Sequence, residues 1–75
     1  MKYRERFSIV LSTLRKKHNL SLDKLASEIG ITNQAVSLLE KGKRSPSFEV
    51  LMSLADYFDV SLDYLVGRSD DPRKE

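Results

Sequence analysis

Two neighbouring amides set the chemistry open to this chain. Asn33 and Gln34 stand side by side in the stretch ITNQAVSLLEKGKR, and each amide carries donors and an acceptor in fixed geometry. Such a side chain can make paired hydrogen bonds to the N6 and N7 edge of adenine. Thr32 precedes them and Ser37 and Leu38 follow one turn later; a Thr or Leu side chain can touch a thymine methyl. Just beyond come Lys41, Lys43 and Arg44, cations able to neutralise phosphates. Covalent chemistry has no comparable candidates. The chain has no cysteine and a single histidine, His18, so disulfide and zinc scaffolds are excluded and no metal site is expected. No phosphate loop or nucleophile–base constellation is present, and neither Ser37 nor His18 has a base or orienting partner at a suggestive spacing. An enzyme is therefore the weakest reading, and no cofactor or small-molecule ligand is expected. A solvated polar face is the plainer account of the same residues. The choice turns on the elements that carry them.

Those elements form two short helices joined by a tight turn. Leu22, Leu25, Ala26 and Ile29 recur at helical spacing, and Gly30 then breaks the pattern. A glycine just past a helix adopts positive φ without steric cost, so the chain can turn sharply there. Thr32 supplies an N-cap oxygen for the next helix. Val36 and Leu39 of that helix face inward, which leaves Asn33, Gln34, Ser37 and Lys41 outward. Small Ala26 lets the second helix cross close over the first. The pattern is a helix-turn-helix.

The flanking segments complete a single small domain. Residues 1–5 are expected as a loose lead-in or frayed turn. A helix is expected over Arg6–His18, with Phe7, Leu11 and Leu14 on one stripe, Val10 beside it, and Arg15, Lys16, Lys17 and His18 at its negative end. His18 itself is expected to be exposed. Asn19 can take the left-handed cap and Ser21 the next N-cap. After Gly42 and a basic loop, Ser47 caps a fourth helix whose stripe is Phe48, Leu51, Leu54, Ala55 and Phe58. A short fifth helix spans Ser61–Val66, with Leu62 and Leu65 inward, and Gly67 stops it. Residues 67–75 carry no apolar side chain and are expected to be a disordered polar tail. The predicted architecture is all-α and compact, with five helices over residues 6–66 around a central helix-turn-helix. No apolar run approaches membrane-spanning length, and no signal-peptide core begins the chain, so a cytoplasmic location is expected.

Charge is segregated along the chain. Residues 1–44 hold ten Lys and Arg against four acids, a balance of +6, whereas residues 45–75 hold three against seven, a balance of −4. Segregation alone would serve solubility equally well. Coinciding with a helix-turn-helix, the basic half is what a phosphate-facing surface needs.

The order of residues resembles the helix-turn-helix of phage Cro and lambda-type repressors, the XRE family. The resemblance is carried by Leu14-Arg15, Leu25-Ala26, Gly30-Ile31, Val36, Leu39-Glu40, Lys41-Gly42-Lys43-Arg44 with Pro46, Leu54-Ala55 and Val60-Ser61-Leu62. It covers roughly residues 7 to 66. It implies a lambda-repressor-like fold and a double-stranded DNA partner, with the second helix of the motif in the major groove. The base-reading candidates are then Thr32, Asn33, Gln34, Ser37 and Leu38, with a lean toward A·T pairs. The backbone candidates are Ser21, at a helix N-terminus able to donate N–H groups, Lys41, Lys43, Arg44 and Arg15. Arg15 and Glu40 resemble the family's partly buried salt bridge. Leu22 departs from the family, in which a glutamine commonly contacts the DNA backbone at that position.

The resemblance also implies a homodimer on a palindromic operator. Its candidate surface is Tyr57, Tyr64, Leu65 and Val66 in the acidic half; the same residues could instead close the monomer core. The leading function is a sequence-specific transcriptional regulator acting as a repressor. With no ligand-sensing domain expected in so short a chain, control would come through abundance, dimerisation or a partner. The alternative is an antitoxin or other protein-interaction module with secondary DNA-binding autoregulation, although the charged tail offers no apolar anchor for a partner.

Overall fold

Four of the helices begin where a hydroxyl holds the first turn. The structure, a computed structural model, describes residues 2–74; Met1 of the lead-in and Glu75 of the tail lie outside the described residues. Within them lie α1 (Lys2–Lys17), α2 (Leu22–Ile29), α3 (Asn33–Glu40), α4 (Phe48–Phe58) and α5 (Leu62–Leu65), with no strand among the described residues. Ser21, Thr32, Ser47 and Ser61 cap α2, α3, α4 and α5, each accepting from a backbone N–H three residues on. These oxygens replace water at N–H groups that a helix leaves without an internal partner.

Helix ends are set equally locally. Asn19 (φ 56°) and Asp59 (φ 56°) adopt the left-handed conformation that ends α1 and α4. At Gly30 (φ 85°) the reversal from α2 to α3 is sharp, and the N–H groups of Gly30 and Ile31 both return to the Ala26 carbonyl at 2.8 and 3.0 Å.

The core is one cluster fed by all five helices. Phe7, Leu11 and Leu14 of α1 meet Leu25 and Ala26 of α2, Val36 and Leu39 of α3, Leu54, Ala55 and Phe58 of α4, then Val60 and Leu65. α3 packs against both α2 and α1, and α4 bridges α2 and α5. Burying twelve apolar side chains supplies the main driving force for a domain of this length. Ser8 sits at the core's edge and donates its hydroxyl to the Glu5 carbonyl at 2.7 Å, which satisfies a polar group that burial would otherwise penalise.

Three local expectations are corrected. The lead-in is helical: α1 already runs from Lys2. Tyr3 continues the Phe7–Leu11 stripe one turn back, the Arg6 guanidinium lies 5.7 Å from its ring centre, and no Pro or Gly interrupts the segment. Phe48 is 68% exposed rather than part of the core stripe. The core lies under the second half of α4, and the first turn overhangs its rim. Leu62 is also exposed, because Leu65 is the side chain of α5 that inserts. The polar tail carries no helix or strand over 68–74. The Ser61 N–H donates to the Pro72 carbonyl at 3.0 Å, and Lys74 Nζ lies 3.3 Å from Asp56 and 3.6 Å from Asp59. Between this segment and α4–α5 lies an open cleft of about 520 Å³ that includes Met52, Val60 and Leu62.

Candidate nucleic-acid interface

The start of α3 is polar outside and anchored inside. Val36 and Leu39 are buried, while Thr32, Asn33 and Gln34 are exposed, and Ser37 and Leu38 are half-buried one turn later. The Thr32 hydroxyl is engaged as the N-cap, accepting from the Ala35 N–H at 3.0 Å. Its methyl remains for contact. Gln34 therefore projects from a helix whose opposite face cannot shift without opening the core.

A bidentate ion pair fixes the far end of α3. Arg15 Nε donates to Glu40 Oε2 at 2.5 Å and Nη2 to Oε1 at 3.0 Å, and Nη1 donates to the Leu20 carbonyl at 2.8 Å. The two side chains are only 15% and 11% exposed. Hydrogen bonding to the Glu40 carboxylate, with its negative charge, raises the Arg15 pKa further despite partial burial, so Arg15 stays charged. One guanidinium thus ties α1, the α1–α2 turn and α3 together. Three of its five N–H donors are engaged in bracing α3.

Cations flank the polar face. Lys41 follows α3 directly, and Lys43 and Arg44 are exposed in the loop. That loop is shaped by Gly42 (φ 71°), whose N–H reaches the Leu39 carbonyl at 3.2 Å, while the Lys43 N–H reaches that of Leu38 at 3.0 Å. Ser21 is exposed at the start of α2, its hydroxyl turned to the Lys24 N–H.

Asp23 escaped the sequence reading. In the first turn of α2, its Oδ1 accepts a hydrogen bond from Asn33 Nδ2 across the turn. The two residues lie ten apart, and only the crossing of the helices brings them together. In sequence Asp23 is one of four acids in the basic half, and nothing there singles it out.

The surface proposed for self-association is split by the structure. Tyr57 is 39% exposed and edge-on to Phe58 with ring centres 5.1 Å apart, and Tyr64 and Val66 are half-buried. Leu65 is fully buried in the monomer core, so it is not available to a second copy. His18 is exposed, its ring 5.1 Å from that of Phe58.

A helix-turn-helix family model matches residues 11–65, which include the whole of α2, α3 and α4. The chain belongs to the HTH_3 helix-turn-helix family. Members similar to it include the HTH-type transcriptional regulator AnsR of Bacillus subtilis, 47% identical over 58 residues that make up 77% of this chain and 50% of that protein. YobD of the same organism, named as an uncharacterised HTH-type transcriptional regulator, is 40% identical over 62 residues, 83% of this chain and 55% of that one. The chain thus spans about half the length of these curated relatives. Among solved structures, the LexA SOS-response transcriptional repressor from Eubacterium rectale superposes with a TM-score of 0.83 at 27% identity, covering 88% of this chain and 70% of that one. The XRE-type, lambda-repressor-like fold of the family is therefore the fold of this chain. No helix among the described residues is long and apolar enough to cross a membrane.

Proposed function

We propose that this chain is the DNA-binding part of a transcriptional regulator, reading double-stranded DNA with the start of α3. The observation that carries the reading is the exposed Asn33–Gln34 pair, presented by a helix locked from behind and flanked by Lys41, Lys43 and Arg44. Amides specify bases, and cations and helix N-termini position the backbone. Family membership supplies independent support, since the similar proteins are named as transcriptional regulators.

The finer reading is a repressor that binds as a two-fold dimer. A single α3 contacts only a few base pairs, and two copies on half-sites about ten base pairs apart would extend recognition across one helical turn. Tyr57, Tyr64 and Val66 remain candidates for the contact between copies, in the acidic half that phosphates would repel. Repression, by occupying an operator, is favoured by the likeness to a protein named as a transcriptional repressor.

Selection from random duplex DNA near physiological salt tests this reading. The expected result is a palindrome with half-sites about ten base pairs apart and A·T pairs at the contacted positions. Recovery of salt-sensitive, sequence-blind binding alone would contradict it and favour a protein-interaction module.

A further inference from the structure

The Asp23–Asn33 hydrogen bond carries a consequence for which base α3 accepts. A carboxylate has only acceptors, so the atom of Asn33 that faces it must be the Nδ2 donor. The amide is therefore held in one of its two orientations. What remains toward the groove is the Oδ1 acceptor with the second Nδ2 hydrogen beside it. That pair matches adenine, whose N6 donates and whose N7 accepts. Guanine presents two acceptors, O6 and N7. Against guanine, the fixed Oδ1 would oppose O6, and a freely rotating amide could relieve only part of that repulsion. The Asp23 carboxylate behind Asn33 adds negative charge that disfavours both guanine acceptors.

We propose that Asp23 is a specificity-determining residue that acts through Asn33, orienting its amide for adenine and against guanine. The inference rests on the reading of α3 as the base-contacting helix. Asp23 is a positioning residue, and Asn33 touches the base. Both side chains are exposed in the free protein, where water competes for the bond, so the bond matters little to folding. Enclosure in the groove removes that water and strengthens the restraint. Leu22, which can accept or donate nothing through its side chain, leaves Asp23 as the α2 first-turn group that engages α3.

The test measures binding of the whole chain to its selected duplex and to duplexes carrying each other base pair at the Asn33 position. The proteins compared are the wild type, Asp23→Ala, Asp23→Asn, Asn33→Ala and the double variant Asp23→Ala/Asn33→Ala. Asp23→Asn keeps the size but lets the Asn33 amide turn either way. The wild type should prefer adenine over guanine by about tenfold or more. Asp23→Asn and Asp23→Ala should each lose most of that ratio while discrimination at the Gln34 position and the melting temperature stay unchanged. Once Asn33 is Ala, changing Asp23 should alter affinity equally for all four bases. An adenine preference that survives Asp23→Asn overturns the role of Asp23 alone. Loss of discrimination spread equally over all positions overturns it as well, since that would be a structural effect. A wild type with no base preference anywhere overturns this role together with the reading of α3 on which it rests.

Discussion

On the proposed reading, the two faces of α3 have opposite jobs, and substitution should separate them. Gln34 is exposed and takes no part in the core. Gln34→Ala should leave the melting temperature within error and cost roughly 1–3 kcal/mol of binding at one base position, as a base-substitution series would show. Glu40 does the reverse. Removing it strands the partly buried Arg15 guanidinium, and breaking one side of such a pair costs on the order of 3 kcal/mol. Glu40→Ala should therefore lower the melting temperature by well over 10 °C, at about 4–8 °C per kcal/mol for a domain of this size. Replacing both partners with apolar residues should cost less than Glu40→Ala alone. An unchanged melting temperature for Glu40→Ala would show that the pair does not brace α3. Lys43→Ala differs from both, weakening binding about equally for all sequences and lowering the salt slope by about one.

Turns decide how the helices are delivered to these positions. At Gly30 the backbone is left-handed but open, with nothing within 4 Å of an added Cβ. Gly30→Ala should then carry only the conformational cost, roughly 1–2 kcal/mol. Gly67 is left-handed too, and a Cβ there would come 2.6 Å from the Cβ of Arg6 on α1. Gly67→Ala should be the more damaging of the two in thermal melts, because α1 and the end of α5 would have to separate. Equal losses would mean that this contact is not maintained in solution.

Much of this element-scale structure was legible from local chemistry. Ser21, Thr32, Ser47 and Ser61 announce four helix starts by residue type, and Asn19 and Gly30 announce two stops. Periodicity places Leu25, Val36, Leu39 and Leu54 inside. What it cannot place is an apolar residue in a first turn. Phe48 and Leu62 have the right spacing, yet each lies beyond the rim of the core. Partners distant in sequence were also hidden. Asp23 meets Asn33 only through the helix crossing, and Pro72 meets Ser61 across eleven residues of chain that periodicity does not place.

The domain measures 29 × 25 × 21 Å, and its sequence is basic through α2 and α3 and acidic beyond them. If two copies meet through their acidic halves, salt should have opposite effects on the two associations. Self-association followed by sedimentation should strengthen as salt screens like charges, while DNA binding should weaken as counterions are no longer released to advantage. Salt weakening self-association would place the contact between copies elsewhere. Leu65→Ala should reveal itself as a folding defect of about 2–5 kcal/mol, because that side chain fills the monomer core.

If the start of α3 chooses the DNA sequence, Gln34→Ala and the wild type, each selected from the same random duplex library, should yield different motifs. The expected result for Gln34→Ala is a palindrome with unchanged half-site spacing and a relaxed preference confined to the position that Gln34 contacts. An identical motif from both proteins, or equal weakening at every position, would contradict this role of α3.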